Sequence, residues 1–193
     1  MKIIKIYLAV VVLLPFTMNA QPVYQLGSNV VGFGLGVGGN FGLSSSYQSA
    51  PAINFQYEHG LKQVGPGVLS LGAYLGFKKY SYTSSLFSYT YSQDWKYTIL
   101  GVRGAWHLQE LTGVNLDKID AYGGVMLSYN LLNYTYTDND PSSTNYFIGE
   151  NYASNVGITP FLGARYFFTN NFAGMVELGY GMSYVNIGLA YKF

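Results

Sequence analysis

The residues that could do acid–base, nucleophilic or metal chemistry are few. The chain of 193 residues has no Cys and only two His, with 10 basic and 9 acidic side chains. A hydrolase needs a nucleophile and a base within hydrogen-bond reach, and neither His59 nor His107 stands in a Ser-containing catalytic motif. Two distant His without Cys are also a poor basis for a metal site. We therefore predict no catalytic residue, no metal and no cofactor.

One glycine-rich stretch matches a nucleotide-binding motif by its letters. Residues 34–39 satisfy G-x-G-x-x-G, and Glu58 follows at about the distance of the ribose-binding acid in such proteins. No helical pattern follows the motif, and the glycines continue an alternation that begins at Gly32. The stretch therefore predicts a β-strand with a glycine face and no nucleotide site.

The elements that must position the charged residues are eight alternating segments. In each, apolar side chains occupy every second position and Gly or polar side chains occupy the others, which is the pattern of a strand with two different faces. The segments are 29–38, 53–58, 69–78, 95–108, 119–131, 156–168, 172–180 and 186–193. The links at 60–67, 109–118 and 169–171 predict short turns, and those at 40–50, 80–93 and 133–151 predict longer loops. High Tyr and Gly contents, 20 and 24 residues, also favour strands.

The charged residues test which face is which. Seven charged residues of these segments lie on the Gly and polar face: Glu58, Lys78, Arg103, Asp120, Arg165, Glu177 and Lys192. A soluble β-protein gives the same alternation with its apolar face inward. Only 10% of the residues are charged, which is little for a water-exposed surface. Aromatic residues also gather at one set of strand ends, as in an interfacial girdle: Tyr57, Trp106, Tyr166, Phe168, Phe172, Tyr191 and Phe193.

The first residues have the layout of a secretory signal. Met1–Lys5 is basic, and an apolar run to Phe16 precedes a polar stretch that ends at Ala20. The run is shorter than the ~20 residues of a transmembrane helix. We predict a signal peptide over residues 1–20 and an outer-membrane β-barrel domain over 21–193. Without Lys2 and Lys5, the formal charge is 8 − 9 = −1, which gives no basis for binding nucleic acid.

The last eight residues place polar, Gly and aromatic side chains at Asn186, Gly188, Tyr191 and Phe193. This pattern resembles the terminal assembly signal of bacterial outer-membrane barrels. Together with the segment 159–168, it makes residues 28–193 similar to the small eight-stranded barrels of the OmpA transmembrane-domain and OmpX kind. The resemblance implies an all-β, up-and-down, antiparallel transmembrane barrel of eight strands in a Gram-negative outer membrane. It implies a monomer that contacts membrane lipid and the barrel-assembly machinery. No peptidoglycan-binding domain is expected after Phe193.

The interior of such a barrel is only wide enough for its own side chains. Because isolated charges there are costly, we expect Arg103 and Arg165 to pair with Glu58 and Glu177. The glycines at 32, 34, 36 and 38 would leave room for these side chains and for Tyr74 and Tyr97. His59 is expected at the membrane interface and His107 at the barrel rim.

The predicted role is support of the membrane or surface interaction. The main alternative is a surface adhesin that recognises host protein or glycan through the Tyr- and Ser-rich stretch 80–91, which could extend its two strands beyond the membrane. A narrow ion channel and a lipid-modifying barrel enzyme are further alternatives.

Overall fold

A computed structural model describes residues 23–39, 48–86, 89–109, 116–138, 154–180 and 182–193. The predicted signal peptide lies outside this part of the chain. The described residues form nine β-strands: β1 (Asn29–Val37), β2 (Gln48–Ser49), β3 (Ala52–Val64), β4 (Gly67–Leu86), β5 (Tyr89–Leu108), β6 (Ile119–Asp138), β7 (Asn155–Phe167), β8 (Phe172–Gly179) and β9 (Val185–Lys192). No helix in these ranges is long and apolar enough to cross a membrane.

Eight of the strands close into an antiparallel barrel. Each strand from β3 to β9 pairs with the next one in the chain, and β1 pairs with both β3 and β9, so that the sheet has no open edge. The two-residue strand β2 adds only a short pairing to β4 at residues 80 and 81. Closure gives every strand two hydrogen-bonded neighbours, which a structure surrounded by hydrocarbon requires. The predicted eight-stranded up-and-down barrel is confirmed.

The two faces of the barrel have opposite chemistry. Large apolar side chains point outward and are 39–70% exposed on all eight strands, for example Phe33, Leu100 and Ile158. The buried inward positions hold polar and charged side chains, among them Asn54, Gln56, Glu58, Ser70, Lys78, Arg103, Asp120, Asn130, Arg165 and Glu177. A soluble barrel would bury the first set and expose the second. The fold is therefore a transmembrane β-barrel.

The two ends of the barrel differ. At the end that we call the turn end, the links at 65–66, 109–118 and 168–171 connect the strands. The outward aromatic residues Tyr57, Tyr166 and Phe193 lie near this end and are 39–61% exposed, as an interfacial girdle requires. At the opposite end, which we call the loop end, β1, β4, β6 and β8 end, and β3, β5, β7 and β9 begin.

Three strands are longer than their sequence patterns predicted. Strands β4 and β5 remain paired as far as Leu86 and Tyr89, and β6 pairs with β5 up to Asp138. The described parts of these predicted loops, residues 80–86, 89–93 and 133–138, are thus strands, which confirms the interpretation that the Tyr- and Ser-rich stretch extends the sheet. The predicted turn at 60–67 is likewise wrong in extent, because β3 continues to Val64 and only residues 65–66 turn. In these extensions the outward side chains are polar. The alternation of apolar and polar residues by which the strands were predicted is therefore absent there.

The outward face offers a direct test of the membrane fold. Val102 lies in the middle of the apolar face of β5 and is 57% exposed, whereas Thr135 lies outward in the β6 extension. We expect Val102→Arg to lower the free energy of unfolding by about 2–4 kcal/mol in a lipid bilayer, because Arg must then enter hydrocarbon. Thr135→Arg should cost roughly 1 kcal/mol or less. Urea titration in vesicles measures both, and equal, small effects would indicate a water-exposed surface at Val102.

Candidate functional site: a charged cluster inside the barrel

The inward charges converge from five strands. Glu58 stands on β3, Arg103 on β5, Asp120 on β6, Arg165 on β7 and Glu177 on β8. Each is at most 8% exposed. Their inward direction follows from the alternation of each strand, and their common level follows from the register, which sets Asp120 opposite Arg165. We call these five residues the lumen cluster.

Ion pairs connect the members of the lumen cluster. Arg103 Nε lies 2.8 Å from Glu58 Oε1, and Arg103 Nη2 lies 2.6 Å from Glu177 Oε2. Arg165 Nη2 lies 2.5 Å from Glu58 Oε2, and Arg165 Nη1 lies 2.9 Å from Asp120 Oδ2. The four residues predicted as a charge network are therefore in one chain of contacts. Glu58 bridges both arginines, and Arg165 also pairs with Asp120, which the prediction did not include.

Aromatic rings complete the surroundings of the two guanidinium groups. The Arg103 Cζ lies 4.0 Å from the ring centre of Phe161, and that of Arg165 lies 4.3 Å from Tyr122. The Tyr122 hydroxyl donates a hydrogen bond of 3.2 Å to Glu177 Oε2. The cations are thus held by carboxylates at their edges and by aromatic faces above, which offsets their removal from water.

His107 belongs to this cluster, and the prediction that it is a rim residue is wrong. It is fully buried, with Nδ1 2.8 Å from Asp120 Oδ1 and Nε2 3.0 Å from the Ser70 hydroxyl. The signal was present in the sequence, because His107 is in phase with Arg103 and therefore points inward. His59 is half-buried at the turn end, where its Nδ1 lies 2.9 Å from Asn29 Oδ1.

The segment before β1 closes the turn end of the barrel. The Tyr24 ring stacks on His107 with 3.7 Å between ring centres, and both Val23 and Tyr24 are at most 5% exposed. Lys192 Nζ donates to the Val23 carbonyl at 2.7 Å, and Gln109 Nε2 donates to the Tyr24 carbonyl at 2.8 Å. No pattern in the sequence indicates this plug, because it depends on contacts with residues more than 80 positions away.

Above the lumen cluster, towards the loop end, the interior holds a small cavity. It measures about 30 Å³ and is lined by Arg103, Glu177, Met182 and Asn186, among others. This volume accommodates one or two water molecules. Further out, Lys78 Nζ donates to the Gly38 carbonyl at 2.9 Å. Inward side chains thus occupy the barrel from one end to the other.

The glycine face of β1 leaves space for side chains of neighbouring strands, but these are not the side chains that were predicted. The glycines leave space for Gln56 from β3 beside Gly32 and for Ser183 beside Gly36. Across Gly34, Asn54 Nδ2 donates to Asn186 Oδ1 at 2.8 Å, linking β3 to β9 over the intervening strand. Beside Gly38 the nearest side chain is that of Tyr184. The arginines, the glutamates, Tyr74 and Tyr97, which were predicted to use this space, are not among the nearest neighbours of these glycines.

The four residues of the predicted assembly signal stand on β9 at the seam with β1. Asn186 points inward and is 5% exposed. Gly188 pairs with Gly34, and a methyl group on Gly188 would overlap the backbone oxygen of Phe33. Tyr191 and Phe193 point outward, with 6.2 Å between their ring centres. Gly188 therefore permits close approach at the seam, and the two aromatic residues belong to the girdle.

The described residues contain no group of three or more His, Cys, Asp or Glu side chains that could hold a metal ion.

No protein-family model and no curated protein sequence matches the chain. Among solved structures, a de novo designed transmembrane β-barrel is 17% identical, with a TM-score of 0.48 over 88% of this chain and 98% of that chain. Ail, the attachment invasion locus protein of Yersinia pestis, solved with the heparin analogue sucrose octasulfate, is 10% identical, with a TM-score of 0.48 over 88% of this chain and 100% of that chain.

The lumen cluster can be tested by removing one cation. Arg165→Met leaves Glu58 and Asp120 buried without that partner, so we expect a loss of about 3–5 kcal/mol in the free energy of unfolding. Lys79→Met is the control, because it breaks the partly exposed pair with Asp94 and should cost about 1 kcal/mol or less. Urea titration of the folded barrel, followed by Trp fluorescence, measures both. Similar losses for the two variants would contradict the description of Arg165 as a buried, paired charge.

Proposed function

We propose that the protein is an integral outer-membrane β-barrel of a Gram-negative bacterium that supports the membrane or mediates surface contacts, without enzymatic activity and without an open pore. One observation carries the proposal. All eight strands present apolar side chains outward, while the inward side chains form paired contacts across the lumen. We also propose that the protein is related to the OmpA transmembrane-domain and OmpX families. This proposal rests on the β9 residues and the number of strands.

The filled interior argues against a narrow ion channel. The lumen cluster spans the barrel from β3 to β8, Tyr24 stacks beneath it, and the cavity above it holds one or two waters. A hydrated ion would have to break at least one buried ion pair to pass. Such pairs cost several kcal/mol to separate, so a closed lumen is the expected resting state.

Ser70, His107 and Asp120 form a chain of hydrogen bonds that resembles a catalytic triad. Their two hydrogen bonds, 3.0 Å and 2.8 Å, have the lengths found in a serine-hydrolase triad. Ser70 is 2% exposed, however, and the face of the His107 ring is covered by Tyr24. A substrate carbonyl must approach within about 3 Å of the nucleophile, and these contacts occupy that space. We therefore interpret the three residues as a structural hydrogen-bond chain, and a lipid-modifying enzyme as disfavoured.

Strand β9 supplies the proposed contact with the barrel-assembly machinery. The girdle residues Tyr191 and Phe193 would remain accessible outside the barrel, whereas Asn186 and Gly188 close the seam with β1. Because lipid can cover the apolar face of every strand, no second copy is needed, and we expect a monomer.

Two measurements on the wild-type protein test the main proposal. We expect unboiled protein in detergent to migrate differently from boiled protein on a gel, because a closed barrel resists unfolding by detergent. In planar bilayers, the inserted protein should show no steady conductance. Identical migration with and without boiling would overturn the membrane barrel, and sustained conductance of the wild-type protein would overturn the closed lumen.

A second candidate function is surface recognition, favoured by the length of β4, β5 and β6. These strands continue as a paired sheet up to the pairs Leu86–Tyr89 and Tyr91–Asp138, beyond the outward apolar residues. The inward face of this extension is rich in aromatic residues, including Tyr82 and Tyr136. Rigid aromatic surfaces suit contacts with protein or glycan.

The extension can be shortened without disturbing the barrel. Ser81 and Asp94 are paired, so replacing residues 82–93 by Asn-Gly gives a two-residue hairpin at that level. If the extension is a recognition surface, cells that carry the shortened protein should lose binding to host cells while the gel shift on boiling persists. Unchanged binding with a folded barrel would contradict the recognition role and leave the membrane role standing.

A further inference from the structure

A row of outward side chains marks the boundary where the barrel leaves its apolar belt at the loop end. Lys79 on β4 is paired in register with Lys96 on β5, and Lys96 with Asn133 on β6. All three point outward and are exposed. We call them the boundary row. Two lysines directly opposite each other on neighbouring strands repel, because their side chains start about 5 Å apart.

The apolar surface ends directly below the boundary row. The next outward residues towards the turn end include Phe77 and Leu131, which are 42% and 40% exposed. From Leu69 to Phe77 the outward face of β4 is apolar for about 26 Å along the strand, which at the usual tilt is roughly 20 Å along the barrel axis and so most of the roughly 25 Å apolar band of such barrels. The boundary row therefore lies at the level of lipid head groups.

The charges near the boundary row leave a positive excess. Asp94, outward on the other side of the row, accepts hydrogen bonds from Lys79 and from Ser81, and these bonds hold the pKa of Asp94 below its usual value. This carboxylate therefore stays ionised and offsets one lysine. Among the described residues, Lys96 makes no direct ion pair, but its charge also acts on the Asp94 carboxylate. Two lysines thus share one carboxylate, and the net charge there is 2 − 1 = +1.

We propose that Lys79 and Lys96 bind a phosphate group of a phosphorylated glycolipid in the leaflet at the loop end. The spacing of the two side chains allows both ammonium groups to reach one phosphate, while the acyl chains of the same lipid lie along Phe77 and Leu131. The bound anion relieves the repulsion between the opposed lysines. The attraction between one lysine and an anionic lipid surface lowers the dissociation constant about fivefold. The proposal rests on the transmembrane orientation given under Proposed function.

The test uses the full-length folded barrel in detergent micelles and diphosphorylated lipid A as the probe, with binding followed by native mass spectrometry. We expect Lys79→Gln/Lys96→Gln to bind the probe about thirtyfold more weakly than wild type, and Lys96→Gln alone about fivefold more weakly. Asp94→Asn should bind more tightly, because it removes the competing carboxylate. Lipid A stripped of its phosphates should bind the wild type as weakly as the double variant does.

Lys62 provides a matched control. It is an exposed lysine on β3 near the turn end, so Lys62→Gln should leave binding unchanged. Equal binding by wild type and the double variant, an equal loss in Lys62→Gln, or indifference to the phosphates would overturn the proposal. Each variant is first checked for the shift in migration on boiling. A wild type that lacks this shift would overturn the proposed membrane function, whereas a shift without phosphate-dependent binding would overturn the glycolipid site alone.

Discussion

The structure depends on one constraint, that backbone N–H and C=O groups facing hydrocarbon must find partners within the chain. A sheet meets this constraint only when its first and last strands pair, which here occurs between β1 and β9. The approach at this seam is close, since Gly188 faces Gly34 and has no space for a side-chain carbon. Closure with eight strands also fixes the diameter, and a barrel of that size has an interior that its own side chains fill. The seam therefore determines both the outer surface and the contents of the lumen.

A narrow lumen imposes rules of its own on the residues within it. Three carboxylates and two guanidinium groups share the space, and each charge lies against at least one of opposite sign. Glu58 contacts both arginines, so the pairs form one connected unit. An unpaired charge in the lumen would strongly destabilise the fold, because it would lie away from water. Removing any one of the five residues would therefore leave a partner without its counter-charge. The Tyr24 ring extends this order to the turn end by stacking on His107, which itself bonds to Asp120.

The sequence predicted the features that depend on alternation along one strand and missed those that depend on contacts between strands. Strand positions and the outward or inward direction of residues such as Val102 and Glu177 follow from a period of two, and these predictions are confirmed. Two predictions, one about the strand ends and one about His107, were wrong. The extensions of β4 and β5 alternate between polar and aromatic residues, because water has replaced lipid on their outer side. His107 was read as a rim residue although its phase points inward, since the partners Ser70 and Asp120 come from other strands. The plug formed by Tyr24 has no periodic signal at all.

The contrast between the two ends indicates where interactions with other molecules can occur. At the turn end, Tyr24 stacks on His107, and the outward residues there are aromatic and suited to a membrane interface. At the loop end, three paired strands rise past the apolar belt, and their outer face begins with the lysines of the boundary row. A barrel whose interior is committed to its own stability can meet other molecules only at its surface. The chemistry of that surface changes at the boundary row, from the apolar side chains of the belt to lysines and then to the polar outer face of the extended sheet.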